Sequence, residues 1–127
     1  MTVSSELACL IAGLGHPDPS ERRAAAEALG RAGAGAVDPL IDALRDGNPG
    51  VQDAAIRSLI AIGGEATARK LLPLVYEGPY FRSVGLVVFK EIGPAAVPLL
   101  CALLSDGRDD IRTFAVNLIG EIGQCDC

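Results

Sequence analysis

The sequence predicts an all-α fold, a solenoid of about eight helices stacked as antiparallel hairpins. Three observations predict it. Gly33, Gly63, Gly93 and Gly123 are spaced by 30 residues, and so are Leu14, Leu44, Leu74 and Leu104, which is the mark of a repeat architecture. Within each period the apolar residues recur at helical rather than strand spacing. Finally, half of the 127 residues are apolar, 21% are charged and the mean hydropathy is +0.34. That is enough apolar material for one compact domain or short repeat array, and too much for a disordered chain.

The elements follow in order within one array spanning residues 1–127. Residues 5–15 read as a lone second helix of a hairpin, with Leu7, Leu10, Ile11 and Leu14 on its core face. Whole hairpin units follow at 18–47, 48–77 and 78–107, and a truncated unit fills 108–127. The first helix of each unit ends in AAAEALGRAG (24–33), AAIRSLIAIG (54–63), VGLVVFKEIG (84–93) or FAVNLIGEIG (114–123). In the second unit Val51, Ala55, Ser58, Leu59 and Ile62 form its buried stripe. Its start is written in Asp18-Pro19-Ser20-Glu21, an N-cap, a proline in the first turn and an acid at the third position, and again in Asn48-Pro49. The glycine that closes each segment suits a left-handed C′ position.

The second helices read AVDPLIDALRDG (36–47), ATARKLLPLVYEG (66–78) and AVPLLCALLSDG (96–107). Val37, Leu40, Ile41 and Leu44, with Val97, Leu100, Cys101 and Leu104, give them an amphipathic core face. Gln124 to Cys127 stand where the next second helix would begin, so helix 111–122 lacks its partner. A solenoid normally ends in a polar cap. The reading is therefore a piece of a longer array, or an open end covered by another molecule or by self-association.

The pattern Leu-x-Asp-Gly-Asn-Pro-x-Val-Gln-x-Ala-Ala-x-x-x-Leu-x-x-Ile-Gly from Leu44 to Gly63 resembles a HEAT repeat. Its 30-residue form is similar to the HEAT-like repeats of phycobilisome lyases and of many bacterial scaffold proteins. The resemblance implies a right-handed solenoid whose second helices line the concave side, where partners commonly lie. It also implies a ladder pairing an Asp in each inter-repeat turn with an Arg opening the next first helix. Asp106 and Arg112 fit that relation, and Arg22 and Arg82 share the register of Arg112. Gln52 follows Asp46 instead, and His16 and Tyr76 stand in the Asp position. Such a ladder is structural, and these arginines are not nominated as a site.

Several function classes are excluded by counting. The net charge of −5 argues against phosphate-backbone binding, which needs clustered Lys and Arg, so no nucleic-acid partner is expected. The apolar run Ala95–Leu104 is too short for a membrane span and contains Pro98, and the N-terminus lacks a signal-peptide pattern; no membrane partner and a cytoplasmic location are expected. Deoxyhypusine hydroxylase resembles this fold but holds iron with several His-Glu pairs, whereas His16 is the single histidine here. DNA glycosylases built on similar helices need a basic, aromatic face. Neither a Cys-His nor a Ser-His-Asp arrangement can be assembled around His16, which reads as an ordinary turn histidine. No phosphate-binding glycine motif is present. Cys9, Cys101, Cys125 and Cys127 read as intracellular thiols, and the Cys125-Asp126-Cys127 end alone falls short of a tetrahedral metal site. No catalytic residue, cofactor or metal is expected.

What remains is surface. Second-helix positions facing away from the core are Asp38, Asp42 and Arg45, then Ala68, Leu72 and Val75, then Pro98, Ala102 and Ser105. Leu72, Val75, Tyr76 and Ala102 are thereby the candidate contacts for a protein partner, an apolar patch edged by a tyrosine. The competing arrangement rotates or kinks helix 66–76 at Pro73, burying Leu72 and Val75 and exposing Lys70, which otherwise stands at a core position. The function expected is a non-catalytic scaffold binding a protein on its concave face. The alternative is an accessory subunit or domain of an enzyme complex, such as a bilin lyase-like chromophore lyase.

Overall fold

The computed structural model of the protein describes residues 3–123, which form eight α-helices joined by turns and short 3-10 segments, with no strand among the described residues. The chain divides into two compact units, residues 1–62 and 63–127.

The first unit contains α1 (Val3–Gly13), α2 (Pro19–Leu29), a 3-10 turn (Ala34–Ala36) leading into α3 (Val37–Ala43), and α4 (Pro49–Ile62). Helix α2 starts where the sequence predicts. Asp18 is extended (φ −82°, ψ 121°) and its carboxylate accepts the Ser20 N–H at 2.9 Å, with Pro19 opening the helix. Asn48 caps α4 in the same way, its Oδ1 accepting the N–H of Gly50 at 2.9 Å and of Val51 at 3.3 Å.

Helix α4 packs on α2 and α3, and Leu29, Leu40, Leu44, Val51 and Leu59 are sealed from solvent between them. Burial of each such side chain stabilises the unit by about 1.5–3 kcal/mol before the cost of ordering the chain. Helices α2 and α4 touch closely. Ser58 Oγ donates to the Ala26 carbonyl at 2.6 Å, and a Cβ on Gly30 would lie 2.7 Å from Ser58 Oγ and 3.1 Å from Ser58 Cα.

Helix α1 is less buried than expected. It packs on α2 and the Ala34–Ala36 turn, leaving Leu7, Leu10 and Leu14 half-buried, while Ile11, expected on the core face, is 38% exposed.

The second unit contains α5 (Gly64–Leu71), a 3-10 continuation (Leu72–Tyr76), α6 (Pro79–Ile92), a 3-10 turn (Gly93–Ala96), α7 (Val97–Leu103) and α8 (Asp109–Ile122). Pro73 has no N–H to continue an α-helical ladder, and the chain tightens into 3-10 geometry at its position. The rotation has the predicted result of the kinked arrangement: Val75 and Ala68, expected on the outward face, are buried, Leu72 is half-buried, and Lys70 is exposed. Val75 packs toward Gly85 of α6, where an added Cβ would meet Val75 Cγ1 and Phe114 Cζ, each at 3.2 Å. Phe89 and Phe114 close the core between α6 and α8 edge to face, with ring centroids 6.3 Å apart.

All four period-30 glycines adopt positive φ. Gly123 takes the left-handed helical conformation (φ 85°, ψ 11°), but Gly63 (φ 59°, ψ −161°) and Gly93 (φ 77°, ψ −139°) lie in a region essentially confined to glycine. The left-handed C′ position expected of these glycines is found at Gly123; Gly63 and Gly93 use a different positive-φ conformation, and α2 closes at Leu29 with Gly30 as its cap, before Gly33. The Gly93 conformation matters in Pro79–Leu103, which matches a membrane span in length and composition over 25 residues. Gly93 breaks that stretch into α6, a 3-10 turn and α7. Helix α6 alone, with 14 residues, is about 21 Å long, short of a hydrocarbon core of about 30 Å.

Candidate functional site

The polar residues of the inter-helix turns form a repeated scaffold. At the register of Arg22, each side chain donates to a carbonyl of the preceding turn: Arg22 Nη1 to His16 O at 2.9 Å, Gln52 Nε2 to Asp46 O at 2.6 Å, Arg82 Nη1 to Val75 O at 3.2 Å and Arg112 Nη1 to Asp106 O at 2.6 Å. Gln52 therefore does the work of its arginine counterparts, because the acceptor is a backbone carbonyl and needs no charge. Arg22 also pairs forward with Asp46, Nε to Oδ2 at 2.8 Å and Nη2 to Oδ1 at 3.3 Å, so the ion pair ties α2 to the α3–α4 turn rather than Asp46 to the helix following it.

The substitutions in the Asp register are explained by the same turns. Asp46 Oδ1 accepts the Asn48 N–H and Asp106 Oδ1 the Arg108 N–H, each at 2.9 Å; His16 Nδ1 accepts the Asp18 N–H at 3.0 Å. The histidine ring nitrogen thus stands where an aspartate oxygen accepts in the other turns. Tyr76 reaches further and donates its hydroxyl to the Asp106 carboxylate, 30 residues on.

Around Tyr76 the second unit gathers a charged cluster. The Arg108 guanidinium lies 5.8 Å from the Tyr76 ring centroid, donates to the Tyr76 carbonyl at 3.2 Å and grips Asp110 through two bonds at 3.1 and 2.7 Å. The Tyr76 hydroxyl bond and the Arg108 N–H hold the Asp106 carboxyl below the ordinary range, and the same bond to Asp106 pushes the Tyr76 phenol up. Arg108 keeps Asp110 low.

The candidate contacts are thus divided. Tyr76 is 37% exposed at the edge of this cluster, Ala102 is exposed on α7, Leu72 is half-buried, and Val75 at 1% exposure is a core residue unavailable to a partner. The continuous apolar patch expected from their register positions is not formed, because the 3-10 turn rotates Val75 inward.

The first unit holds a feature that sequence reasoning missed. A groove of about 430 Å³ opens between α1 and α3, with Ile11 and Leu14 on one wall and Asp38, Pro39, Asp42 and Arg45 on the other. The outward placement of Asp38 and Asp42 was readable from their register; the exposure of Ile11 was not, since its spacing is that of a core residue. Asp46 borders the groove but is committed to Arg22. Burial alone would raise its carboxyl, and the Asn48 N–H and Arg22 outweigh this and lower it.

Among the described residues no group of three or more His, Cys, Asp and Glu is placed to hold a metal ion. Cys9 is a free, exposed thiol, whereas Cys101 is disulfide-bonded, correcting the reading of all four cysteines as thiols. Cys125 and Cys127 lie outside the described residues.

The family model for HEAT repeats matches residues 7–87. No curated protein matches the chain.

Proposed function

The chain belongs to the HEAT repeat family, and from that premise we propose that it is a non-catalytic scaffold holding a protein partner along its second helices, the concave side in this family. The family's repeats generally serve protein–protein interaction. The observation that carries the reading is the α1/α3 groove, an open cleft between two second-type helices whose α1 wall is apolar, with Ile11 and Leu14, and whose α3 wall carries Asp38, Asp42 and Arg45. Apolar surface set beside charged groups is what a protein contact offers. The turn polar groups support it from the other side, since their hydrogen bonds are spent on the fold. On the second unit, Leu72, Tyr76 and Ala102 remain as second-helix surface; Val75 does not.

The test is affinity capture with mass spectrometry, comparing the wild type with Ile11→Ser, with the pair Leu72→Asp and Tyr76→Ala, and with Arg57→Glu on the first helix α4, each shown folded by circular dichroism. A partner lost with the second-helix variants and kept by Arg57→Glu supports the reading. A partner lost only with Arg57→Glu, or kept by all three, refutes it.

A further inference from the structure

We propose that the α1/α3 groove is the docking site for a basic segment of the partner protein, a stretch bearing one or two Lys or Arg side chains beside a branched apolar residue. This rests on the scaffold reading above and supplies the partner's chemistry. The groove, at about 430 Å³, admits a few side chains rather than a domain. Ile11 is the exposed large hydrophobic residue of the first unit among the described residues, and it lines this groove. An apolar side chain seated on it would remove that surface from water.

Charge selects the rest of the occupant. Asp38 and Asp42 are four residues apart on α3, one helical turn, and so share the groove wall about 6 Å apart. Asp46 is already compensated by Arg22. Asp38 and Arg45 have interactions of their own, but exposed Asp42 has none among the described residues. A cation opposite Asp42 gains a partner without breaking one. With two Asp and one Arg the α3 wall keeps a net negative charge, and an acidic segment would meet like charge on Asp42, which is how a surface rejects wrong partners. The chain's net charge of −5 draws basic segments toward it at long range and repels acidic ones.

The probe is a fluorescein-labelled twelve-residue peptide of alternating Lys, Leu and Ala, with two counterparts: Glu for every Lys, and Ala for every Leu. Anisotropy titrations use the full chain. The expected result is binding of the Lys/Leu peptide that weakens with salt, loss of at least about tenfold in Kd with Asp42→Lys, a comparable loss with Ile11→Ser or the Ala counterpart, and no binding of the Glu peptide. Val87→Asp on α6, folded by circular dichroism, leaves Kd unchanged. Equal binding of the Glu peptide, or a Kd indifferent to Asp42→Lys, overturns the inference. So does light scattering that shows a dimer abolished by Asp42→Lys with no peptide bound, which would make a second copy the occupant. A captured partner that is lost in the second-helix variants while the peptides show no preference overturns this inference and leaves the scaffold reading standing. Partners indifferent to every second-helix variant overturn the scaffold reading itself.

Discussion

Replacing Gly30 with alanine tests the closest helix contact in the first unit. The residue has ordinary right-handed backbone angles (φ −60°, ψ −19°), so local conformation alone favours alanine by about 0.4–1 kcal/mol. Packing opposes it. The new methyl would sit 2.7 Å from Ser58 Oγ, 3.0 Å from Ser58 Cβ and 3.1 Å from Ser58 Cα. The hydroxyl cannot swing freely, because it is buried and bonded to the Ala26 carbonyl, and the backbone carbon can yield only if α2 and α4 separate. Overpacking of this kind costs about 1–3 kcal/mol, so the expected net loss is about 1–2 kcal/mol. Ser58→Ala alone loses a buried hydrogen bond worth about 1 kcal/mol. In the double variant the nearest clash and that hydrogen bond disappear together, so the two losses should sum to less than additive by at least about 0.5 kcal/mol. Urea unfolding followed by circular dichroism measures all three. Wild-type or greater stability for Gly30→Ala, or strict additivity in the cycle, would refute the account of this contact.

Gly93→Ala, forcing a side chain onto φ 77°, should cost about 1–3 kcal/mol, whereas Gly107→Ala, with open space and no positive φ, should leave the urea midpoint within about 0.5 kcal/mol of wild type. Phe89→Ala should destabilise by about 3–5 kcal/mol, since the ring is fully buried and its neighbour Phe114 loses its edge contact. The lowered carboxyls of Asp46, Asp106 and Asp110 contribute stability that is complete above the unfolded carboxylate pKa of about 3.9 and is lost as pH falls below it through the folded values. Urea midpoints measured from pH 6 to 2 should fall in that window, and less steeply for Asp46→Asn. At the alkaline end the raised phenol of Tyr76 adds stability present below pH about 10 and lost as pH rises through its folded value; an absorbance titration should show Tyr76→Phe removing one late-ionising tyrosine.

The periodicity of glycine and leucine determined the helices and their order, and the capping residues determined where α2 and α4 start, because helix starts are local chemistry; it did not place the end of α2, which closes at Leu29 rather than at Gly33, nor that of α5 at Leu71. Asp18 and Asn48 cap neighbours two or three residues away, and Gly33, Gly63, Gly93 and Gly123 need no distant partner to favour positive φ. Register alone also named the outward acids Asp38 and Asp42. Tertiary structure decided the rest. Whether Val75 faced water depended on how far Pro73 tightened the chain and on the space beside Gly85, a contact ten residues away in sequence. Ile11 has the spacing of a core residue, but only the elements packed against α1 determine how much of it is covered. The groove exists for that reason: a helix's own sequence sets which face is apolar, while the neighbours that pack on it set which part of that face stays open to a partner.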